Sequence, residues 1–211
     1  MPCAVLTAIG VMPDGKRSVL GCSVAMSEAE PHWRKFLESL LARGMRGVKL
    51  VVSDDHAGLK AARSATLSGI PWQRCQFHTI RNAMAHAPKV SMRAEISQDL
   101  KRVFDADDDQ EATRRLRQMT ARYQKSAPAL ANWLEENVPE ALTVLGCPPP
   151  HRRRLMTTNS LERLNKEIKR RTRVATLFPN EASLLRLVSA VLSEISDEWE
   201  TQRTYLTMET R

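Results

Sequence analysis

Near Pro88 the hydrophobic pattern of this 211-residue chain changes period, and that break restricts the possible folds more than any other feature. Before it, short apolar runs alternate with amphipathic stretches. After it, as far as about Leu145, only helical spacing remains. The first part opens with Cys3-Ala-Val-Leu-Thr-Ala-Ile-Gly-Val, the turn signal Pro13-Asp14-Gly15, and a second run, Ser18-Val-Leu-Gly-Cys-Ser-Val-Ala. Two such runs joined by a turn predict a β-hairpin buried on at least one face. Ser27 with Glu30 has capping-box spacing, and Trp33, Phe36, Leu37, Leu40 and Leu41 form one helical stripe that Gly44 stops. Residues 48–53 read as a third strand and 72–77 as a fourth. Short helices follow each, over about 58–68 and 79–87.

The second texture predicts three helical pieces, roughly 90–104, 108–124 and 128–145, with the acidic run Asp105–Asp109 suited to a helix N-terminus. Cys147-Pro-Pro-Pro150 reads as a stiff linker. Two more helices follow, about 159–171 and 181–200, separated by a loop holding Phe178-Pro179-Asn180. Strands mixed with helices and interrupted by an all-helical segment predict an α/β layer with an insertion, not a bundle. The expected boundaries are 1–88, 89–150 and 151–211.

Composition narrows the class. At 42% hydrophobic and 27% charged residues, the chain has an ordinary globular make-up, and no apolar run approaches a membrane span. Four scattered cysteines make no disulfide framework, so a reducing cytoplasm is the expected setting. The net charge of +8 is concentrated: His151 to Arg173 carries nine basic and two acidic side chains, and the remainder is nearly neutral. Such a block suits a polyanion, nucleic acid above all, although it is also what a solvated helix face looks like.

Three constellations can carry chemistry. Asp54 closes an apolar strand, at the edge where α/β sheets gather ligands, and a carboxylate there suits Mg²⁺; Asp54 or Asp55 could equally cap the next helix. Glu162 shares one helix face with Lys166, Lys169 and Arg173, within about 40° at 100° per residue, while Leu161, Leu164 and Ile168 form a separate apolar stripe. That places a carboxylate among phosphate-binding cations, or an ordinary Glu162–Lys166 helix pair. Cys75-x-x-His78 is half of a zinc site, with Cys147 and His151 as weak candidates for the other half; otherwise Cys75 packs at a strand end and His78 makes a hydrogen bond or touches substrate.

Together these segments resemble the catalytic domain of Mutator-type bacterial insertion-sequence transposases. The resemblance rests on Ala8-Ile-Gly-Val-Met-Pro-Asp-Gly15, Trp33-x-x-Phe36-Leu37, Val51-Val-Ser-Asp-Asp-His-Ala-Gly-Leu59, Gln73-Arg-Cys-Gln-Phe-His78, Arg81-Asn82, Thr157-Thr-Asn-Ser-Leu-Glu-Arg-Leu-Asn165 and Phe178-Pro-Asn180. It implies a ribonuclease-H-like mixed sheet with a helical insertion. It also implies an Asp-Asp-Glu triad that holds two Mg²⁺ ions, with Mn²⁺ as a substitute, for DNA cleavage and strand transfer. The second acid falls on Asp54 and the third on Glu162. His78 joins them as a catalytic candidate, and Cys75 with His78 matches the family's Cys-x-x-His signature. The DNA-binding candidates are Arg152, Arg153, Arg154, Asn159, Arg163, Lys166, Lys169, Arg170 and Arg173. The implied partners are element terminal repeats, target DNA and at least one further copy of the chain, with no membrane.

The resemblance also places a first Asp on a strand upstream of Cys3–Met12. The only acid before Glu28 is Asp14, in the hairpin turn. The expectation is a chain lacking its first strand, its first acid and the region that recognises terminal repeats, with its sheet split into two edges, and inert alone. The alternatives are a DNA-binding remnant that interferes with an intact copy, and another ribonuclease-H-like nuclease using Asp55 as its third carboxylate.

Overall fold

The computed structural model describes residues 4–172, 178 and 180–208. Arg173 and Pro179 lie outside the described residues. The chain forms two compact units, one built from residues 1–48, 56–69 and 159–211, the other from 49–55 and 70–158.

In the first unit, β1 (Ala4–Val11) and β2 (Arg17–Ala25) form an antiparallel hairpin whose register shifts after Ala8. The turn needs its glycine: Gly15 has φ +79°, and a Cβ there would lie 1.9 Å from the Leu206 carbonyl oxygen. Helices α1 (Glu30–Ala42) and α2 (Ala57–Thr66) pack on each other. The stripe on α1 buries Phe36, Leu37 and Leu40. Gly44, at φ +100°, ends it with Gly44 N donating to Leu41 O (2.9 Å) and Met45 N to Leu40 O (3.0 Å). The predicted Ser27 cap does not form, because the helix starts at Glu30 with Ala29 as its N-cap. Helices α8 (Asn159–Thr172) and α9 (Glu181–Thr201) complete the unit. Their Leu164, Ile168, Leu184, Val188, Val191 and Leu192 form a core with Val5, Ile9, Val19 and Val24 of the hairpin.

The second unit holds a parallel pair, β3 (Val51–Ser53) and β4 (Trp72–Arg74). Around it lie α3 (Gln76–Ala85), α4 (Arg93–Phe104), α5 (Asp109–Tyr123), α6 (Pro128–Asn137) and α7 (Pro149–Leu155). Ile96, Leu100, Val103, Leu116, Leu130 and Leu134 are the centre of an all-helical core. Asp108 caps α5, accepting from Glu111 N at 2.8 Å, as the acidic run suggested.

The architecture is therefore α/β: small sheets flanked by helices, with an all-helical insertion. Several boundaries differ from those read in the sequence. The third strand keeps only residues 51–53, the length over which β4 pairs with it. The fourth ends at Arg74, because Cys75 is the N-cap of α3 and Gln76 opens the helix. The piece expected over 128–145 stops at Asn137 and continues as short 3₁₀ turns at 139–141 and 143–146. Pro139 lacks the N–H an α-helix would need there. Pro149 does not belong to a linker: it opens α7, where its missing N–H costs nothing. Among the described residues the strands pair as two separate two-stranded sheets, and no helix is long and apolar enough to cross a membrane.

Candidate functional site

The parallel pair sets the position of the first candidate acid. Ser53 lies opposite Arg74, and Cys75 N donates to Ser53 O at 2.7 Å, so the ladder runs one residue past the end of β4. Asp54 and Cys75 therefore leave the pair side by side at its carboxyl edge. Trp72 Nε1 donates to Ser53 Oγ (2.9 Å), and Ser53 Oγ to Asp54 O (2.8 Å), which fixes the backbone at the end of β3.

The two adjacent aspartates meet different surroundings. Asp55 Oδ2 lies 3.1 Å from Nη1 of Arg74, a side chain that is itself buried. The Asp54 side chain is exposed, and no cation is paired with it among the described residues. Neither caps α2, whose N-cap is His56. His56 Nε2 lies 3.4 Å from Glu28 Oε2. The capping role open in the sequence is therefore absent: Asp55 is instead an ion-pair partner, and Asp54 presents a hard oxygen donor to solvent.

Cys75 is fully buried. Its Sγ accepts from both the N–H and the Oγ1 of Thr158, each at 3.4 Å. Gln76 N donates to Met156 O at 3.0 Å, so the chain just before α8 is stitched to the start of α3. His78, on the first turn of α3, is half-buried and makes an edge contact with the exposed Phe77 ring, centroids 5.5 Å apart.

The rest of the Gln73–His78 motif holds the helical insertion against β4. Gln73 Nε2 donates to Ala141 O (2.8 Å), its Oε1 accepts from Val144 N (2.6 Å), and Gln76 Nε2 also donates to Ala141 O (3.0 Å). These supporting roles, and that of Thr158, were not found from the sequence. The available signal was a strand rich in amide and guanidinium groups, Gln73-Arg74-Cys75-Gln76, in a place where only buried residues fit; a buried polar side chain must find partners.

Glu162 lies in the first turn of α8, half-buried. Leu164 and Ile168 are the buried side of that helix, while Asn159, Arg163, Lys166, Lys169 and Arg170 are exposed. Arg170 and Arg171 are partly committed: both bond Glu167 (2.7 and 2.8 Å), and Arg171 also reaches Glu194 (2.6 Å). These two guanidinium groups hold the Glu167 carboxyl down at about 2. Of the α7 arginines, Arg153 and Arg154 are exposed, whereas Arg152 donates to Cys147 O (2.9 Å) and Asp107 O (2.6 Å). Asp54, Cys75 and His78 thus share one unit with Arg152–Arg154, and Glu162 shares the other with Arg163, Lys166 and Lys169.

Comparison with known proteins places this arrangement. The chain is 55% identical over 204 residues to the transposase for insertion sequence element IS406 of Burkholderia multivorans, covering 97% of this chain and 53% of that protein. It is 41% identical over 206 residues to the transposase for element ISRM5 of Rhizobium meliloti, covering 98% and 52%. The transposase for IS256 in transposon Tn4001 of Staphylococcus aureus is 36% identical over 197 residues, covering 91% and 49%. The chain thus spans about half the length of these relatives. The family model described as "Transposase, Mutator family" matches residues 1–202. With Asp54, Cys75, His78 and Glu162 all inside the matched stretch, the chain belongs to the Mutator family of transposases.

Proposed function

We propose that these 211 residues supply Asp54 and Glu162 as two of the three carboxylates of a DNA-cleaving and strand-transferring transposase. The observation that carries this reading is the contrast at the end of β3: Asp55 is paired with Arg74, and Asp54 is exposed at the carboxyl edge with no cation paired to it among the described residues. A ribonuclease-H-like sheet of order 3-2-1-4-5 is supported by the antiparallel β1–β2 pair and the parallel β3–β4 pair, which correspond to strands 2–3 and 4–5. Glu162 follows Thr158, bonded to Cys75, by four residues, so at most about 14 Å of extended chain joins them.

The donor set fits a hard divalent ion, Mg²⁺ or Mn²⁺, because carboxylate oxygens are the ligands such ions take. Bound there, the metal would activate a water or 3′-hydroxyl and neutralise charge at phosphorus. The protein's own part is to hold the acids and the DNA. Arg163, Lys166 and Lys169 project from α8 beside Glu162 and would fix phosphates in register without reading sequence. His78 would hydrogen-bond substrate or shape the site. β1 and β2 carry no carboxylate, so the third acid is not on these strands. At least two copies of the protein are expected in the complex that joins element ends.

The test is a chimera in which this chain replaces the matched 204 residues of the IS406 transposase, assayed on element-end DNA with Mn²⁺. Asp54→Asn and Glu162→Gln should each lower cleavage by about 10²–10³-fold, the scale expected on removing an essential electrostatic group. Cleavage that survives either substitution would overturn the assignment.

A further inference from the structure

Arg74 is the most deeply buried charged side chain in the described structure, and the reading of Asp54 as a metal ligand gives it no task. It is 1% exposed, at the last position of β4. Its Nη1 lies 2.8 Å from Asn137 Oδ1, 3.1 Å from Asp55 Oδ2 and 3.6 Å from Glu140 Oε2. The Asn82 amide, oriented to satisfy its neighbours, accepts from Nη2 at 3.2 Å and donates to the His78 carbonyl at 3.3 Å. The guanidinium carbon stands 5.4 Å from the centre of the Trp133 ring. One planar group thus ties together the end of β3, the first turns of α3, the end of α6 and the 3₁₀ turn after it.

A buried guanidinium is a costly way to join four elements, since apolar packing does so without desolvating a charge. What apolar packing could not do is choose between two neighbouring carboxylates. We infer that Arg74 is a positioning residue for the metal-binding acids: it withdraws Asp55 from the site and fixes the turn so that Asp54 alone is presented. This rests on the reading of Asp54 given above. Through Asn82 the same guanidinium also sets the backbone of His78, so both sides of the carboxyl edge are aligned by one side chain. Lysine could keep the charge but not the fork, because a point charge cannot meet Asp55, Asn137 and Asn82 in one plane.

The experiment compares Arg74→Lys, Asp55→Asn and the double variant in the IS406 chimera, reading the Mn²⁺ concentration for half-maximal cleavage and the rate at saturating Mn²⁺. The 211-residue chain carrying each variant is checked by circular dichroism for folding at the assay temperature. Arg74→Lys should stay folded, raise the half-saturating Mn²⁺ at least fivefold and slow the saturated rate at least tenfold. Asp55→Asn should show a smaller loss in both, and the double variant should be no worse than Arg74→Lys, because both changes break the same pair. If Arg74→Lys lowers thermal stability but leaves the Mn²⁺ midpoint and saturated rate at parental values, Arg74 is structural only and the inference falls. Should Arg74→Lys fail to fold, Asp55→Asn decides alone: an unchanged midpoint and rate overturn the inference. Asp54→Asn, run alongside, separates the two claims, since its cleavage would persist only if the carboxylate reading itself were wrong.

Discussion

At the end of β3 two adjacent aspartates meet different surroundings: Asp55 pairs with Arg74, nineteen residues on, and Asp54 is exposed. Long-range pairing of this kind leaves no periodic trace, whereas an apolar run does, and so the place of Asp54 at a strand end could be read from the sequence but the pairing of its neighbour could not. Other residues carry local electrostatics that can be tested directly. Glu167 is held at about 2, below the ordinary 4.5, by hydrogen bonds from Arg170 and then Arg171. A lowered carboxyl pKa contributes stability that is fully present above the unfolded value and is lost as pH falls through the folded one. Thermal melts of Glu167→Gln and the parent should therefore differ at pH 6 and converge between about pH 4.5 and pH 2. Because these groups are solvent-exposed, the difference should be small and shrink in 1 M salt.

At the scale of elements, helices were the easiest to read, because each repeats its apolar stripe over several turns. The stripes of α1 and α8 bury most of the residues their spacing picked out, Phe36, Leu37 and Leu40 in the one and Leu164 and Ile168 in the other, while Leu41 stays exposed. Short pieces were harder. Three-residue strands cannot show an alternation, and Cys75-Gln76-Phe77 was apolar enough to pass as strand although it turns into α3. The prolines at 139 and 149 act through backbone chemistry, ending one helix and starting another, and pattern reading gave them too little weight. Helix α8 has two jobs on two faces, and they can be separated. Ile168, 4% exposed, sits in the core against α9. Ile168→Ala should cost about 2–5 kcal/mol in urea unfolding, the usual range for emptying such a site. A loss below about 1 kcal/mol would mean the α8–α9 interface is not the packed core described here.

At the scale of the whole molecule, the charge concentrated between His151 and Arg173 dominates what this chain can attract. Three of its exposed members, Arg163, Lys166 and Lys169, lie on one helix, so their loss should be graded rather than all-or-none. Binding of the 211-residue chain to duplex DNA should weaken steeply with salt. Replacing Lys166 and Lys169 by Ala should each lower the slope of log K against log salt by about 1, similarly on unrelated sequences. If the third acid of the proposed triad lies outside these 211 residues, the chain alone should bind DNA without Mg²⁺- or Mn²⁺-dependent cleavage. Metal-dependent cutting by the unmodified chain, abolished by Glu162→Gln, would show that a third carboxylate is already present.

The division into units also carries a consequence for biosynthesis. The first unit is assembled from three stretches of chain and the second from two, so the polypeptide passes between them after residues 48, 55, 69 and 158. On a ribosome that emits the chain from its N-terminus, the second unit has all of its parts once Thr158 emerges. The β1–β2 hairpin, made first, must wait for α8 and α9 before the face formed by Val5, Ile9, Val19 and Val24 is covered. Throughout that interval the nascent chain exposes an apolar two-stranded ribbon, the kind of surface that chaperones bind and that pairs with a neighbouring nascent chain on the same message. Stalled ribosomes releasing 165 and 211 residues should therefore differ in protease sensitivity at the hairpin and not within the helical insertion.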